Sequence, residues 1–264
     1  MLTLSKEELH YDINHITFLE KLWGDGFMSP GGKKEIERLL KDLDLNKQKI
    51  LDIGCGAGGI SVSLAKDYGA QEVIGIDVEK DVVRAASDRV EKSGLKNNVK
   101  ILLTGKSNLP FQDNYFDVVF SKDSLVHIPD KEKIFSQVFK VLKPGGFFVF
   151  SDWLISHDQK PSKEMEYYLK LEDLGFGMAS PELYSKALKK NGFILIDKNN
   201  RNIWYREEAR KELKILSGPA RNSYEEITSH SFIENQIKTW KAMIKVLDTG
   251  EHCPHHFRAK KPII

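Results

Sequence analysis

The stretch Asp52-Ile-Gly54-Cys-Gly56-Ala-Gly58-Gly59 has the clearest chemical use in this sequence. Glycines at this spacing, between an apolar run and a helical one, make a tight turn whose backbone N–H groups a ligand can approach closely. Gly54, Gly56 and Gly59 also satisfy G-x-G-x-x-G, the fingerprint of dinucleotide sites. The turn alone therefore does not decide the cofactor class. Asp77 closes the next apolar run, 18 residues after Gly59, where a carboxylate can accept from both ribose hydroxyls in either class.

A second group lies in Ser121-Lys-Asp-Ser-Leu-Val-His127. Histidine titrates near neutrality and can take a proton from a nucleophile. Asp123 and His127 are four residues apart, so one helical turn would put them on one face and let the carboxylate orient the imidazole. A histidine that merely caps or packs a loop fits the same spacing. A third group is aromatic: Trp23, Trp153, Phe176, Trp204 and Tyr205, with Glu172 and Asp173 nearby in sequence. Such residues can wall a pocket for an amine or methylated ammonium through cation–π attraction, or simply fill a core. His252-Cys253-Pro-His255-His256 has ligand types suited to zinc. No second ligand cluster accompanies it, so no metal is expected.

The elements that must carry these groups alternate. Apolar runs at 49–53, 72–77, 99–103, 116–121, 146–151, 192–197 and 256–260 read as strands. Helical spacing follows the glycine turn at 59–68, then recurs at about 81–93 and at 131–142, where Lys143-Pro-Gly-Gly146 stops it. Near-continuous apolar strands between helices imply a parallel sheet covered on both faces. Three stretches break the rhythm: residues 1–48, an N-terminal helical lid; 152–180; and 203–248. Because ligands of open parallel sheets sit outside the carboxyl ends of the strands, the last two are expected as substrate-cap insertions on a single domain whose cofactor core is 49–151.

Composition narrows the partners. The 264 residues carry a formal charge of +2, too balanced to argue for nucleic acid or an anionic membrane. No apolar run is long enough to span a bilayer. The first ten residues are polar and acidic, unlike a secretory leader. The two cysteines, Cys55 and Cys253, one of them inside the glycine turn, fit a reducing, cytoplasmic setting. A small-molecule partner is expected; the oligomeric state is open.

With Leu109-Pro-Phe-Gln-Asp-Asn-Tyr-Phe116-Asp117 before the fourth strand and Leu142-Lys-Pro-Gly-Gly146 before the fifth, the sequence resembles the class I S-adenosylmethionine-dependent methyltransferases over about residues 49–151. The resemblance implies an α/β, Rossmann-like, seven-stranded sheet, mostly parallel with its last strand antiparallel. It implies S-adenosylmethionine as cofactor. The cofactor residues expected are Ser29, Asp52, Gly54, Gly56, Gly58, Asp77, Val78, Gly105, Lys106 and Lys122, with Asp52 near the methionine amino group. One departure stands out: where the family carries an acid for the adenine amino group, this chain has Gly105 and then Lys106. A nicotinamide oxidoreductase is the rival that the glycine turn by itself permits.

Within that family the chain resembles phosphoethanolamine N-methyltransferases and related small-amine N-methyltransferases. Tyr11 precedes Phe27-Met-Ser29-Pro-Gly31-Gly32 at the spacing the phosphoethanolamine enzymes show before their Ser-Pro-Gly-Gly turn. The resemblance implies that Tyr11 and His127 form a catalytic latch assisted by Asp123. The acceptor side departs from the pattern. Trp153 stands where a tyrosine would, and Leu171-Glu-Asp-Leu174-Gly-Phe176 offers acids where an arginine would hold phosphate. Lys245, Arg201, Arg206, Arg210 and Arg221 are the cations that could rebuild a phosphate or carboxylate clamp. The expectation is methyl transfer to a small, amine-bearing acceptor. An O- or C-methyltransferase of an apolar metabolite, and a phosphoethanolamine enzyme with a rebuilt phosphate site, are the alternatives.

Overall fold

The computed structural model describes residues 11–105 and 109–263. Seven strands form one sheet: β1 (Lys49–Ile53), β2 (Glu72–Asp77), β3 (Val99–Leu103), β4 (Phe116–Lys122), β5 (Leu142–Asp152), β6 (Ile194–Asn200) and β7 (His255–Lys260). Their order is β3-β2-β1-β4-β5-β7-β6. The first five pair in parallel, and β7 runs antiparallel between β5 and β6. The architecture is the one the resemblance implies. Strand order reverses between β1 and β4, and a crevice opens there at the strands' carboxyl ends. Helices α3 (Gly59–Lys66), α4 (Lys80–Lys92), α5 (Lys131–Val141) and α7 (Pro181–Lys190) follow β1, β2, the β4 loop and β5. Leu51, Ile53, Val119, Phe148 and Phe150 are buried in the sheet, which is why these strands read as continuous apolar runs.

Two details differ from the sequence reading. Lys143-Pro-Gly-Gly146 does not separate α5 from β5; the chain turns extended at Leu142, with a register shift against β4 between Phe116 and Val118. The sixth strand begins at Ile194, two residues after Gly192, and is exposed along most of its length because it forms the sheet edge.

The remaining helices are α1 (Ile13–Trp23), α2 (Gly32–Leu39), α6 (Lys163–Glu172), α8 (Asn202–Ser217), α9 (Arg221–Glu225) and α10 (His230–Asp248). Of these, α2 packs on a face of the sheet and the others build a second layer. Side-chain caps fix where three of them start: Asp12 accepts from His15 N, Ser162 from Met165 N and Ser229 from Phe232 N. Phe18, Leu19, Met165, Tyr168, Tyr205, Ile233, Trp240 and Met243 make a second apolar cluster, apart from the cores on the sheet. It joins lid helix α1 to helices of both later insertions. None of the described helices is long and apolar enough to cross a membrane.

Candidate active site

The glycine turn leaves β1 with Gly54 (φ 69°) and Gly56 (φ 54°) in the left-handed region, which glycine enters without penalty. A Cβ on Gly54 would collide with the Ser124 side chain. At the other end Gly59 touches Gly26 of the lid: Gly59 N–H donates to Gly26 O at 3.0 Å, and a Cβ on Gly59 would lie 2.6 Å from that oxygen. Arg89 of α4 fastens the same junction, donating to Ala57 O at 2.8 Å while pairing with Glu20 and Asp25. Neither Gly26 nor Arg89 stood out in the sequence. Their partners lie tens of residues away, and no local pattern marks such a contact.

Beside this turn runs a cleft whose wall includes Gly54, Gly56, Asp77, Val78, Gly105, Ser29 and Lys122. Asp77 accepts from the backbone N–H groups of Gly56, Val78 and Glu79. Burial raises its pKa above the usual carboxylate range, partly offset by those three donors. Ile76, Leu109, Ile128 and Ile134 supply apolar wall. A carboxylate for ribose hydroxyls, glycine backbone for the polar chain and apolar faces for a flat ring suit an adenosyl cofactor. Lys106 lies outside the described residues.

Two expected cofactor residues stand elsewhere. Asp52 is fully buried behind the turn, where Ser61 Oγ donates to it at 2.6 Å and Oδ1 has no hydrogen-bond partner. Burial raises its pKa to about 7. A side chain so placed braces β1 against α3 and is not in the cleft wall. Gly58 is the left-handed N-cap of α3, close against Ala86; it permits helix packing and does not line the cleft.

A second cavity adjoins the first, and Tyr11, Met28, Ser29, Asp123, His127 and Leu174 belong to both walls. His127 ends a 3-10 turn, Leu125–His127, and its Nδ1 lies 3.0 Å from Leu174 O. A carbonyl only accepts, so Nδ1 carries the proton and Nε2 is the basic nitrogen. The Tyr11 phenol is held firmly protonated, first by burial and then by Glu172, Asp77 and Glu79.

Asp123 is not the partner of His127 that a helical turn would have made it. It adopts φ 55°, ahead of the 3-10 turn, and its carboxylate takes Lys122 Nζ at 2.5 Å, Ser151 Oγ at 2.7 Å and Tyr205 OH at 3.1 Å. Burial alone would raise its pKa, but Lys122, with those hydrogen bonds, holds it below the usual range. Lys122 also donates to Ser29 Oγ at 2.8 Å, so this buried pair ties β4 to the lid.

Of the expected acceptor residues, Trp23, Trp153 and Phe176 line the second cavity, together with Trp240, Glu172, Gln236 and Thr239. Trp204 and Tyr205 do not. Tyr205 turns its hydroxyl to Asp123, and Trp204 packs against Gly31 and the Tyr205 ring beneath Arg201. Trp23 and Trp240 both donate to Glu212, at 2.6 and 2.9 Å. Glu172 is half-buried in this wall, and burial raises its pKa to about 7. Among the described residues lining this cavity there is no Lys or Arg. The candidate cations are engaged elsewhere: Arg201 with Glu35, Arg206 and Arg210 with Asp248, Arg221 with Glu225 and Glu234, Lys245 with Glu164. His252 and His255 face the Leu154 and Cys253 carbonyls through Nδ1, and His256 pairs with Glu35. No group of three or more metal-ligating side chains converges among the described residues.

A family model described as "Methyltransferase domain" matches residues 44–245. Phosphoethanolamine N-methyltransferase 1 of Zea mays is 31% identical over 246 residues, covering 93% of this chain and 48% of its own length. Phosphoethanolamine N-methyltransferase of Plasmodium falciparum is 31% identical over 169 residues, 62% of this chain and 61% of its own length. The chain spans about half the length of most of the curated relatives it matches. Among solved structures, phosphoethanolamine N-methyltransferase 2 of Haemonchus contortus, in complex with phosphomonomethylethanolamine and S-adenosylhomocysteine, superposes with a TM-score of 0.88 at 27% identity. That match covers 97% of this chain and 59% of the other. Geranyl diphosphate C-methyltransferase of Streptomyces coelicolor shares the fold, with a TM-score of 0.71 at 18% identity over 87% of this chain and 76% of that one.

Proposed function

Because the chain belongs to the methyltransferase-domain family, with S-adenosylmethionine as its cofactor, we propose that it methylates the nitrogen of a small, non-phosphorylated amine. The observation that carries this reading is the lining of the second cavity: tryptophans, Phe176 and the Glu172 carboxyl, with no Lys or Arg among its described residues. Aromatic faces and a carboxylate attract an ammonium. A buried phosphate dianion would lie beside Glu172 with no Lys or Arg among the described lining residues to balance it, and an unbalanced buried charge costs several kcal/mol.

When bound, the cofactor supplies a methyl group on a sulfonium, whose departure as a neutral thioether needs no acid. The chain's residues do the rest. Asp77 takes the ribose hydroxyls, and the turn from Gly54 to Gly56 holds the polar chain. Tyr11 and Met28, shared by both cavities, close over the junction and exclude water. Trp153, Phe176 and Glu172 hold the amine with its nitrogen toward that junction. His127 Nε2 accepts the proton the amine must lose to expose its lone pair. Nδ1, anchored on Leu174 O, keeps the ring aimed.

An acceptor competition with labelled cofactor tests the reading, pitting ethanolamine, dimethylethanolamine and dimethylglycine against phosphoethanolamine, with product mass as readout. The non-phosphorylated amines are expected to win. Preferential methylation of phosphoethanolamine would overturn the reading and make the chain a phosphobase enzyme like its relatives.

A further inference from the structure

The turn that presents His127 is held from behind by groups outside both cavities. Lys131 opens α5, and its side chain folds back: Nζ donates to Leu125 O and Ile128 O, each at 2.6 Å. These carbonyls bracket the turn. From the other side Asp152, at the end of β5, accepts from Val126 N–H at 3.1 Å and from Tyr184 OH at 2.5 Å. Lys131 and Asp152 are both buried, and the ammonium also lies 5.3 Å from the Tyr184 ring centre.

A buried ammonium is costly unless it is paired and hydrogen-bonded. Capping a short turn needs neither a lysine nor a carboxylate, since water or a backbone group can satisfy one exposed carbonyl. Here a cation grips the carbonyls of the first residue and the C-cap of a three-residue helix while an anion grips an N–H between them. The backbone on both sides of His127 is thereby fixed to α5 and β5. Burial pulls Lys131 down to about 8, against the raising influence of Asp152, and pushes Asp152 up to about 6, against Lys131 and Tyr184. The two groups therefore stabilise each other's charge in the same small space.

We propose that Lys131 and Asp152 are positioning residues that hold the His127 turn in register with the junction of the two cavities. The proposal rests on His127 acting in the reaction. It assigns the pair no contact with cofactor or acceptor. Geometric error of about 1 Å in a reacting group costs on the order of 100-fold in rate, so loosening this clamp lowers kcat and leaves cofactor affinity intact.

The test is Lys131→Met, which keeps most of the apolar stem and removes the ammonium donors. S-adenosylhomocysteine affinity by calorimetry, kcat and KM with whichever amine is turned over, and a thermal melt are measured together. A fall in kcat of about tenfold or more is expected, with S-adenosylhomocysteine Kd and acceptor KM within about twofold. The same substitution is then made in the His127→Ala background, where its effect on kcat should vanish, because a clamp on a missing imidazole has nothing to position. Unchanged kcat in folded Lys131→Met overturns the proposal. So does an undiminished effect in the His127→Ala background, which would mean a general structural role. If Lys131→Met does not fold, Lys131→Gln, which retains a donor for one carbonyl, carries the same cycle. Should His127→Ala alone leave kcat unchanged, the catalytic role of His127 has failed, a result visible before Lys131 is touched.

Discussion

The cleft at the glycine turn and the cavity proposed for the acceptor share a wall but are built differently. The cleft takes its polar core from the ends of two adjacent strands: Gly54 and Gly56 follow β1, and Asp77 ends β2 beside them. Its geometry follows from backbone conformation at the strands' carboxyl ends. The cavity takes one or two side chains from each of several segments: Trp23 from α1, Trp153 after β5, Glu172 from α6, Phe176 beyond it, and Trp240 from α10. These side chains stand on separate segments of the chain. A family can therefore keep the first site and vary the second. On the proposed reading, such a division lets a chain 31% identical to a phosphoethanolamine N-methyltransferase over 246 residues carry a second cavity lined by an acid and tryptophans.

The sharpest way to test this division is at the shared wall. His127→Ala should lower kcat by about 10²-fold, the range of general-base catalysis, and leave S-adenosylhomocysteine affinity near wild type. Turnover within twofold of wild type would remove His127 from the chemistry. On the cofactor side, Asp77→Ala should weaken S-adenosylmethionine binding about tenfold or more, because charge-assisted hydrogen bonds are worth ~1.5–3 kcal/mol. Part of that loss comes through the turn, since Asp77 also holds Gly56 N–H. Unchanged affinity by calorimetry in a folded variant would sever Asp77 from the site.

On the acceptor side the expected effects are smaller and depend on pH. Glu172 has a pKa raised to about 7 by burial, so it is neutral below that pH and a carboxylate above it. An ammonium is attracted only by the ionised form. Amine KM should therefore fall as pH rises through about 7 in the wild type and stay flat in Glu172→Gln. Above that pH, Glu172→Gln should raise KM about fivefold, the effect of losing roughly 1 kcal/mol. Identical KM profiles for the two proteins would take the carboxyl out of acceptor recognition.

The same contrast explains what could be read without coordinates. The seven strands, the glycine turn and Asp77 were legible because each is a local pattern: apolar period, glycine spacing, an acid at a strand end. The aromatic wall was legible only by residue type, and type placed Trp204 and Tyr205 in a cavity they do not line. Tyr205 has a phenol that Asp123 claims, and Trp204 covers Gly31. Asp123 was assigned to His127 by spacing, yet a left-handed φ at Asp123 turns it toward Lys122 and Ser151. Gly26, Arg89 and the Lys131–Asp152 clamp left no trace in the sequence, because each works through partners far along the chain.

The smallest expected effect bears most directly on the acceptor. By sequence, Lys245 is one of the cations that could rebuild a phosphate site from the last insertion. In the structure it stands on the outer face of α10, mostly exposed, 3.1 Å from Glu164 of α6. Exposed pairs of this kind are screened by water and salt and contribute little. Lys245→Ala should therefore leave kcat/KM for every amine, phosphorylated or not, within about twofold of wild type, with no resolved change in melting temperature. A selective loss of phosphoethanolamine turnover in this variant, with other amines unaffected, would mean that Lys245 reaches the acceptor when the lid closes. The cavity would then gain the cation it lacks here, and the two-site contrast drawn above would collapse into a single site of the phosphobase kind.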